Sequence, residues 1–464
     1  MNEENIKGKF PKGIVVSEMK FDVVIIGGGP AGMVTAATAK KFYPDKSVAI
    51  IKKEKVSMVP CGIPYIFATL GSVEADIMST KPVEDLGVQF IISEVVDVDK
   101  NRKIIKTSDG EEIEYEKLVL ATGSQPIFLN IEGSNLEGVY VVSKSFEYLK
   151  KLYNAVKEAE NIVIVGGGFI GVEVGDEIRK LGKNVTIVEM MDHLLPAAFD
   201  KEFGETVKKE LEANGVKIYV NSTVKKILGK DRVEGVELAN GNKIEADLVI
   251  FSVGYKPNSE LAKKAGIRLG TSGGIWVDEY MRTSEPDIFA VGDCVEHKDF
   301  FTRKPAKLML ASTACFEARI AGANLFNLGV IRKNKGDIGI FSTYAGNLTI
   351  AAAGITEEAA IKEGFEIVVG RAKGFDRHPA KIPDASPIEI KLVFSKDGVI
   401  LGGQVIGGKS VGEIINIIGL AIQKGLTAAE LCLMQIGTHP LLTSPPTAYP
   451  IIAAAEDAWR KISK

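Results

Sequence analysis

The chain has 464 residues, of which 45% are hydrophobic and 25% are charged, and its formal net charge is −3. This length exceeds what one hydrophobic core organises, and it predicts about three domains of ordinary size. The nearly balanced charge gives no electrostatic reason to expect a nucleic-acid partner or binding to a membrane surface.

The apolar pattern predicts neither a targeting segment nor a membrane span. Residues 1–20 are polar and lack the apolar core of a signal peptide. The apolar run 411–422 is interrupted by Glu413 and Asn416, so it does not predict a helix that crosses a bilayer. We therefore expect a cytoplasmic protein.

The first predicted elements are a strand, a glycine-rich turn and a helix. Residues 21–26 are mostly apolar, a GxGxxG turn follows, a helix is predicted over 33–42 and the next strand over 47–51. Such a turn lets the backbone approach a pyrophosphate at the amino end of the helix. The residues expected to form this dinucleotide-binding turn are Gly27, Gly29, Pro30, Ala31 and Gly32.

The same signature recurs further along the chain. An apolar strand leads into a second GxGxxG turn, a helix is predicted to about Leu181, and the next strand, 185–188, ends at Glu189. This acid lies about 20 residues beyond the glycines, where a carboxylate binds the ribose 2′-hydroxyl of NADH. A 2′-phosphate would require a basic residue, so NADH is predicted in preference to NADPH. The alternative for Glu189 is a solvated charge at a strand end. The residues of this second turn are Gly166, Gly168, Phe169, Ile170 and Gly171.

The strand end of the first unit differs from that of the second. Register between the two units places Lys52 where the second unit has Glu189, and Lys53 and Glu54 follow. An acid normally binds the ribose at this position. Glu54 is therefore a candidate to replace it from a shifted loop, and the sequence leaves the choice between Lys52 and Glu54 open.

The chain has four cysteines, and they are far apart in the sequence. No CxxC pair and no cysteine–histidine cluster with zinc spacing is present, so neither a metal site nor a disulfide framework is predicted. Each cysteine must be judged alone. They are Cys61, Cys294, Cys315 and Cys432.

Three further segments carry a family resemblance. They read LVLATGSQP at 118–126, SVGYKPN at 252–258 and TSEPDIFAVGDC at 283–294. Together with the two glycine-rich turns, and in this order, they resemble the motifs of the pyridine nucleotide-disulfide oxidoreductases. The resemblance implies FAD in the first unit and NADH in the second.

The resemblance also implies roles for individual residues. Asp293 would hold the ribityl chain of FAD, and the segment 307–311 would begin a helix directed at the flavin pyrimidine. Phe169 would be an aromatic gate between NADH and the flavin, and Glu173 would orient the nicotinamide amide or simply pack its helix. The other implied cofactor contacts are Ala121, Thr122, Gly123, Gly254, Gly292 and Ala311.

The implied fold class is α/β, with two Rossmann-like dinucleotide-binding domains and a C-terminal α+β dimerisation domain. In that last domain, strand-like runs at 388–394 and 399–406 precede apolar helices at 411–424 and 450–463. A homodimer is implied. The expected boundaries are 20–120 and 255–330 for a discontinuous FAD-binding domain, 121–254 for the NAD-binding domain and 335–464 for the dimerisation domain.

The segment SMVPCGIPY at 57–65 decides the branch of the family. It is similar to the single-cysteine motif of coenzyme A disulfide reductase, persulfide reductase, NADH oxidase and NADH peroxidase. Cys61 follows Pro60 at a predicted helix start, where the helix dipole favours a thiolate. The alternative is a small buried core cysteine. Cys294 is expected to be structural, and the two remaining cysteines are expected to be packing residues.

The chain departs from the branch in places. Oxidases and peroxidases of this branch have a histidine in the first glycine-rich turn, whereas residues 29–32 read GPAG. Coenzyme A disulfide reductases have two tyrosines in segments that here contain His378 and His439. Lys40 and Lys41 fall where that subfamily has basic residues for coenzyme A phosphates, although basic residues are common at helix ends.

His439 is a second candidate catalytic residue. Its Thr-His-Pro context is similar to that of the C-terminal acid–base histidine of the two-cysteine enzymes, but the glutamate that supports that histidine is missing. A histidine could protonate a leaving thiolate near neutral pH. The alternative is a structural histidine at a subunit interface.

The sequence thus predicts an FAD-dependent enzyme that passes a hydride from NADH through FAD to Cys61 and reduces a disulfide, persulfide or polysulfide. Coenzyme A disulfide or persulfide is a candidate substrate. One alternative is an NADH oxidase that reduces oxygen at the flavin. The other is an electron-transfer reductase for a small iron-sulfur protein.

Overall fold

The computed structural model describes residues 19–332 and 336–464. The expected absence of a signal peptide and the expected start of the third domain at residue 335 lie mainly outside the described residues. Within the described part of the chain, no helix is both long and apolar enough to cross a membrane.

The first segment of the chain contains a strand–helix–strand unit followed by antiparallel strands. Its strand β1 is continuously apolar after Asp22, and its inner residues are fully buried because the sheet is covered on both faces. The elements are β1 (Met19–Ile26), α1 (Pro30–Phe42), β2 (Val48–Lys52), α2 (Lys81–Glu84), β3 (Gln89–Ile92), β4 (Val95–Asp99), β5 (Ile104–Thr107), β6 (Glu112–Leu120), β7 (Ser124–Pro126) and β8 (Val139–Val141).

The middle of the chain repeats the strand–helix–strand pattern. Its elements are α3 (Phe146–Glu158), β9 (Asn161–Val165), α4 (Phe169–Lys180), β10 (Asn184–Val188), α5 (Lys201–Ala213), β11 (Lys217–Tyr219), β12 (Val224–Gly229), β13 (Val233–Leu238), β14 (Lys243–Glu245), β15 (Leu248–Phe251), β16 (Tyr255–Pro257) and α6 (Glu260–Lys264).

The last segment returns to the first sheet and then forms an antiparallel sheet with helices. Its elements are β17 (Ile288–Ala290), β18 (His297–Lys298), β19 (Pro305–Ala306), α7 (Ala311–Ala323), β20 (Ile340–Ala345), β21 (Leu348–Gly354), α8 (Glu357–Lys362), β22 (Ile367–Phe375), β23 (Pro387–Ser395), β24 (Ile400–Gly407), α9 (Val411–Lys424), α10 (Ala428–Cys432) and α11 (Pro450–Ile462).

Two sheets carry the two glycine-rich turns; the strands beside each turn are parallel, and in the first sheet β5 and β4 extend them as antiparallel strands. The first has the order β3-β2-β1-β6-β5-β4, with β17 added parallel to β6, and the second has the order β11-β10-β9-β15-β8. A two-stranded antiparallel ribbon, β7 with β16, stands at the points where the chain enters and leaves the second sheet. The predicted combination of two dinucleotide-binding units with parallel strands is confirmed.

The third sheet is antiparallel throughout and has the order β20-β21-β24-β23-β22. Helices α9 and α11 bury their apolar faces against it. The strands and helices predicted from the C-terminal apolar runs occur within a few residues of their expected bounds. The predicted α+β character of this part of the chain is therefore confirmed.

The segment that contains Cys61 is held between these units. Met58, Ile63 and Phe67 are buried in a cluster with residues of α4 and with Ile350 and Ala352 of β21. Because the apolar residues on both sides of Cys61 are anchored in this way, the thiol has a fixed place relative to all three sheets.

Candidate active site

The first glycine-rich turn lies between β1 and α1. Gly27 has a φ of +121°, and a Cβ there would overlap the carbonyl oxygen of Ala121. Its N–H donates to the Ile51 carbonyl at 2.8 Å, which ties the turn to β2. Gly29, the residue before α1, faces open space, so a side chain there would fill the cradle rather than clash with the fold.

The second turn has the same construction. Gly166 has a φ of +111°, and its N–H donates to the Val188 carbonyl at 2.8 Å. Gly168, the residue before α4, again faces open space. Each turn thus leaves an open cradle at the amino end of a helix, which suits a pyrophosphate. These features fit FAD at one turn and NADH at the other.

The two strand ends next to these turns carry opposite charges. The Glu189 carboxylate is buried and accepts the N–H of Gly167 at 2.6 Å and that of Met191 at 2.7 Å. Lys52 lies in the corresponding place, with its aliphatic chain against Gly28 and its Nζ 3.0 Å from Ser57 Oγ. Burial lowers the pKa of Lys52, and nearby acids oppose this.

Glu54 lies at a distance from the buried strand end. It is exposed, and its carboxylate accepts the N–H of Phe146 at the start of α3 at 3.4 Å. The structure therefore brings Lys52, and not Glu54, against the first glycine-rich turn. The role of either residue in binding the ribose stays a prediction.

Cys61 is exposed and precedes a 3-10 turn of four residues, Ile63–Ile66. So short a turn has little dipole, and the helix expected to begin at Cys61 does not form. The backbone N–H that contacts the thiol comes instead from Ala311, the first residue of α7. The expected helix amino end is thus present, but a different helix supplies it.

The charges around Cys61 oppose one another. Although Cys61 is an exposed residue, the protein atoms around its sulfur desolvate it, and this is the main cause that raises the pKa of the thiol. Glu173 adds to this effect, whereas Lys144 and the Ala311 N–H lower the pKa. The net effect is a pKa above the usual value for cysteine, so the protein part of the site does not by itself favour the thiolate. A thiolate at this position needs further stabilisation from a bound group.

Asp293 follows β17 in a short turn, Gly292–Cys294, and its carboxylate is partly buried. It accepts hydrogen bonds from Lys144 Nζ and Ser124 Oγ, each at 2.7 Å. Burial would raise the pKa of Asp293, but Lys144 and Ser124 outweigh burial and hold it below the ordinary value. An ionised carboxylate is therefore available as an acceptor for cofactor hydroxyls.

A buried ion pair supports the turn that presents Asp293. His297 Nε2 lies 3.2 Å from Glu317 Oε1, and the other oxygen of Glu317 accepts the Gly292 N–H at 2.8 Å. Burial opposes the charged imidazole, but Glu317 outweighs it and raises the pKa of His297 to about 9. No sequence motif marks Lys144, His297 or Glu317, because their contacts join segments that are distant in the chain.

The side of α4 that begins at the second turn has an aromatic and an acidic residue. Phe169 stacks on Phe341 with the ring centroids 5.2 Å apart, and Ile170 beside it is half-buried. Glu173 is half-buried and accepts the Thr343 hydroxyl at 2.7 Å. Burial raises the pKa of Glu173 to about 7. Both predicted nicotinamide contacts therefore also touch the third sheet.

The crossover predicted beside the flavin connects the first two sheets. Thr122 and Asn258 exchange hydrogen bonds, with Thr122 Oγ1 donating to the Asn258 carbonyl at 2.6 Å. Gly123 and Gly254 both have positive φ, of +70° and +99°, next to the ribbon strands. This arrangement places the crossover residues at the edge of the site that contains Asp293.

The other histidine and lysine candidates bond backbone groups. His439 is exposed, and its Nδ1 accepts the Leu441 N–H at 3.3 Å. His378 lies near the same loop, with Nδ1 3.0 Å from the Thr443 carbonyl. Lys40 Nζ binds the carbonyls of Pro44 and Lys46 at the end of α1, which is the helix-end role weighed against coenzyme A binding.

The remaining cysteines differ from Cys61. Cys294 is fully buried, and its thiol contacts the carbonyls of Leu120 and Val291, as expected of a structural residue. Cys315 in α7 and Cys432 in α10 are half-buried, and burial raises the pKa of both. Cys61 is therefore the exposed thiol among the described cysteines.

The sequence matches the pyridine nucleotide-disulphide oxidoreductase family over residues 21–318 and the dimerisation domain of that family over residues 340–449. The chain therefore belongs to this family, and it is a flavoprotein oxidoreductase that uses FAD and NADH. The predicted family, cofactors and fold class are confirmed.

Three named members of the family are similar to this chain over most of its length. The chain is 36% identical to an NADH oxidase of Methanocaldococcus jannaschii, over 95% of this chain and 99% of the relative. It is 34% identical to an NAD(P)H coenzyme A polysulfide/persulfide reductase of Pyrococcus horikoshii, over 91% and 95%. The solved structure of an NAD-dependent persulfide reductase from A. fulgidus matches with a TM-score of 0.87 and 32% identity, over 96% of this chain and 84% of that one.

Proposed function

We propose that the protein is an NADH-dependent reductase of a persulfide, polysulfide or disulfide, with Cys61 as its redox-active residue. The observation that supports this most is the position of the Cys61 thiol. It is exposed, it contacts the amino end of α7, and it lies within the electrostatic reach of Asp293, the proposed ribityl-binding residue. A thiol that only packs the core would be buried, as Cys294 is.

The proposed reaction has two halves. Bound FAD would accept a hydride from NADH and pass the electron pair on to sulfur. In the other half, the Cys61 thiolate attacks one sulfur of the substrate, the sulfur–sulfur bond breaks, and the other sulfur leaves as a thiolate that takes a proton. The electron pair then cleaves the mixed disulfide on Cys61, which regenerates the thiolate and releases the second thiol after protonation.

The nicotinamide side of the site is assigned to α4 and its preceding turn. Glu189 would accept the ribose hydroxyls of NADH, Phe169 would move from its stack on Phe341 to admit the nicotinamide, and Glu173 would bind its amide. Glu189 and Phe169 already lie at the second turn, and Glu173 lies one helical turn further along α4. We also propose the predicted domain boundaries, with residues 121–254 as the NAD-binding domain between the two parts of the FAD-binding domain.

A coenzyme A-linked sulfur compound is the proposed substrate, and a homodimer in the cytoplasm is the proposed state. The names of the relatives from Pyrococcus and A. fulgidus support the substrate class, and the match to a dimerisation domain supports the dimer. Exposed His439 would act as proton donor from one subunit to the thiol site of the other.

Anaerobic titration with NADH, beside a Cys61→Ser variant, tests the proposal. After Cys61 has been converted to a mixed disulfide by coenzyme A disulfide, the wild type should take up two more electrons than FAD holds and show a long-wavelength thiolate–flavin band, and the variant should show neither. Turnover of coenzyme A disulfide and polysulfide should fall by at least about 100-fold in the variant. Reduction of a dye by NADH should persist in both proteins, because it needs no thiol.

Identical electron uptake and unchanged sulfur turnover in Cys61→Ser would refute the thiol mechanism. Cys315→Ser is the matched control, since it removes a different thiol, which is half-buried, from a helix whose amino end lies at the site. It should leave both measurements unchanged.

The second candidate function is an NADH oxidase. The Methanocaldococcus jannaschii relative supports it by name, whereas the sequence of the first turn, which has no histidine between Gly29 and Gly32, argues against it. Oxygen uptake at a rate matching NADH oxidation, with water as the product, would favour the oxidase. Slow oxygen uptake with fast polysulfide turnover would favour the reductase.

A further inference from the structure

Lys144 connects the two dinucleotide-binding units. It lies between β8 and α3, at the start of the second unit, and its side chain reaches Asp293 of the first. Its Nζ is 2.7 Å from Asp293 Oδ2 and 2.9 Å from Ser124 Oγ. The exposed fractions of the two charged side chains are 33% and 14%, so the ion pair is partly shielded from water.

The surroundings of Lys144 hold its ammonium group in place. Nζ lies 5.1 Å from the ring centroid of Tyr255, within the range of a cation–π contact. The Tyr255 hydroxyl in turn donates to the Val142 carbonyl at 2.6 Å, close to Lys144 in the chain. Ser124 and Tyr255 belong to β7 and β16, so both strands of the ribbon contact the lysine.

Lys144 also carries a positive charge that acts on Cys61. Those groups are Glu173 from α4, Asp293 from its turn and Lys144, together with the N–H of Ala311 at the start of α7. Tyr65 from the adjacent 3-10 turn also interacts with the thiol. The two carboxylates disfavour an anion at Cys61, and Lys144 and the helix amino end oppose them in part, so loss of Lys144 makes a thiolate there still less favourable.

We propose that Lys144 is a positioning residue of the thiol–flavin site. Its ammonium group orients the Asp293 carboxylate toward the ribityl chain and supplies the positive charge that favours an anion at Cys61. The inference rests on the proposed redox role of Cys61 for its consequence in catalysis. The effect of the Lys144 charge on the ionisation of Cys61 can be measured without following turnover.

The test compares Lys144→Met, Lys144→Gln and Lys144→Arg in the FAD-loaded enzyme. Alkylation of Cys61 by iodoacetamide is followed against pH, with the Cys61 peptide quantified by mass spectrometry. The midpoint should rise by about 0.5 to 1 pH unit in the Met and Gln variants and stay near wild type in the Arg variant. The dissociation constant of FAD should rise by about 3- to 10-fold in the two uncharged variants.

Lys150→Met is the matched control. Lys150 lies on α3, is more exposed than Lys144, and pairs with Glu74 at 3.3 Å. It should change neither the midpoint nor FAD binding. Two variants without the charge are used so that poor folding of one does not decide the result.

Three outcomes would overturn the inference. They are an unchanged midpoint in Lys144→Met and Lys144→Gln, weaker FAD binding without a shift of the midpoint, and a midpoint in Lys144→Arg that follows the uncharged variants. Failure of the proposed function would look different. Cys61→Ser would then retain sulfur turnover, whatever the alkylation midpoints of the Lys144 variants show.

Discussion

The two dinucleotide-binding units have the same backbone construction and different side chains at the places where a nucleotide would be read. In the first unit the N–H of Gly27 donates to the Ile51 carbonyl at 2.8 Å, and in the second the N–H of Gly166 donates to the Val188 carbonyl at 2.8 Å. The next residue is Lys52 in the first unit and Glu189 in the second. The position of Glu173 in α4 corresponds to Val34 in α1. Hydrogen bonding and glycine sterics are thus shared by the two units, and the difference between them lies in single side chains outside the turn.

The two strand ends also differ in the groups that their side chains contact. Glu189 already has two backbone N–H partners, so its carboxylate is oriented before NADH arrives. Lys52 instead bonds Ser57 in the segment that leads to Cys61. The side chain at the strand end of the first unit is therefore connected to the thiol segment, whereas that of the second bonds its own turn and Met191 just beyond the strand.

The largest expected effect is on NADH binding in Glu189→Ala. Loss of the carboxylate removes the proposed ribose acceptor and leaves the Gly167 N–H without its partner, which should raise the dissociation constant for NADH by about 10- to 100-fold. Stopped-flow measurement of flavin reduction against NADH concentration gives this constant. FAD content should stay at the wild-type level.

Lys396→Ala is a suitable control, because its exposed ammonium group pairs with Glu366 beside the third sheet. If Glu189→Ala reduced its flavin at the same NADH concentrations as wild type, Glu189 would be a solvated strand-end charge. The difference between Lys52 and Glu189 at the two strand ends would then have no effect on nucleotide binding.

The second prediction concerns Glu173, which has no acidic counterpart in α1. Its pKa is raised to about 7, so the folded protein holds the proton more tightly than the unfolded chain does. Stability should be highest below the unfolded pKa of about 4.5 and fall as the pH rises toward 7, by about 1 to 2 kcal/mol after allowance for its partial exposure.

The unfolding free energy of wild type and Glu173→Gln, measured in urea from pH 4.5 to 8, tests this. The difference between the two proteins should change over that range in favour of the Gln variant, which keeps an acceptor for Thr343. If the difference in unfolding free energy did not change with pH, Glu173 would titrate normally. In that case its charge would not destabilise α4 relative to α1.

Much of this architecture could be predicted from the sequence, because its determinants are local. The glycine turns, the strands beside them and the C-terminal apolar helices depend on residues close together in the chain. The helix expected at Cys61 was wrong, since a four-residue turn forms there and α7 supplies the backbone donor. Lys144 and the His297–Glu317 pair could not be predicted, because their partners are brought together only by the folded chain.

The smallest expected effect tests the first strand end itself. In Lys52→Met the aliphatic chain against Gly28 is preserved, while the hydrogen bond to Ser57 is lost. A hydrogen bond of this kind contributes about 1 kcal/mol, so FAD should bind about 3- to 10-fold more weakly. Ser57→Ala removes the same bond from the other side. If both variants weaken FAD to a similar extent and the double variant adds nothing, Lys52 acts through the thiol segment. If only Lys52→Met weakens FAD, the ammonium group contacts the nucleotide directly, and the first unit has replaced an acceptor by a donor at its ribose site.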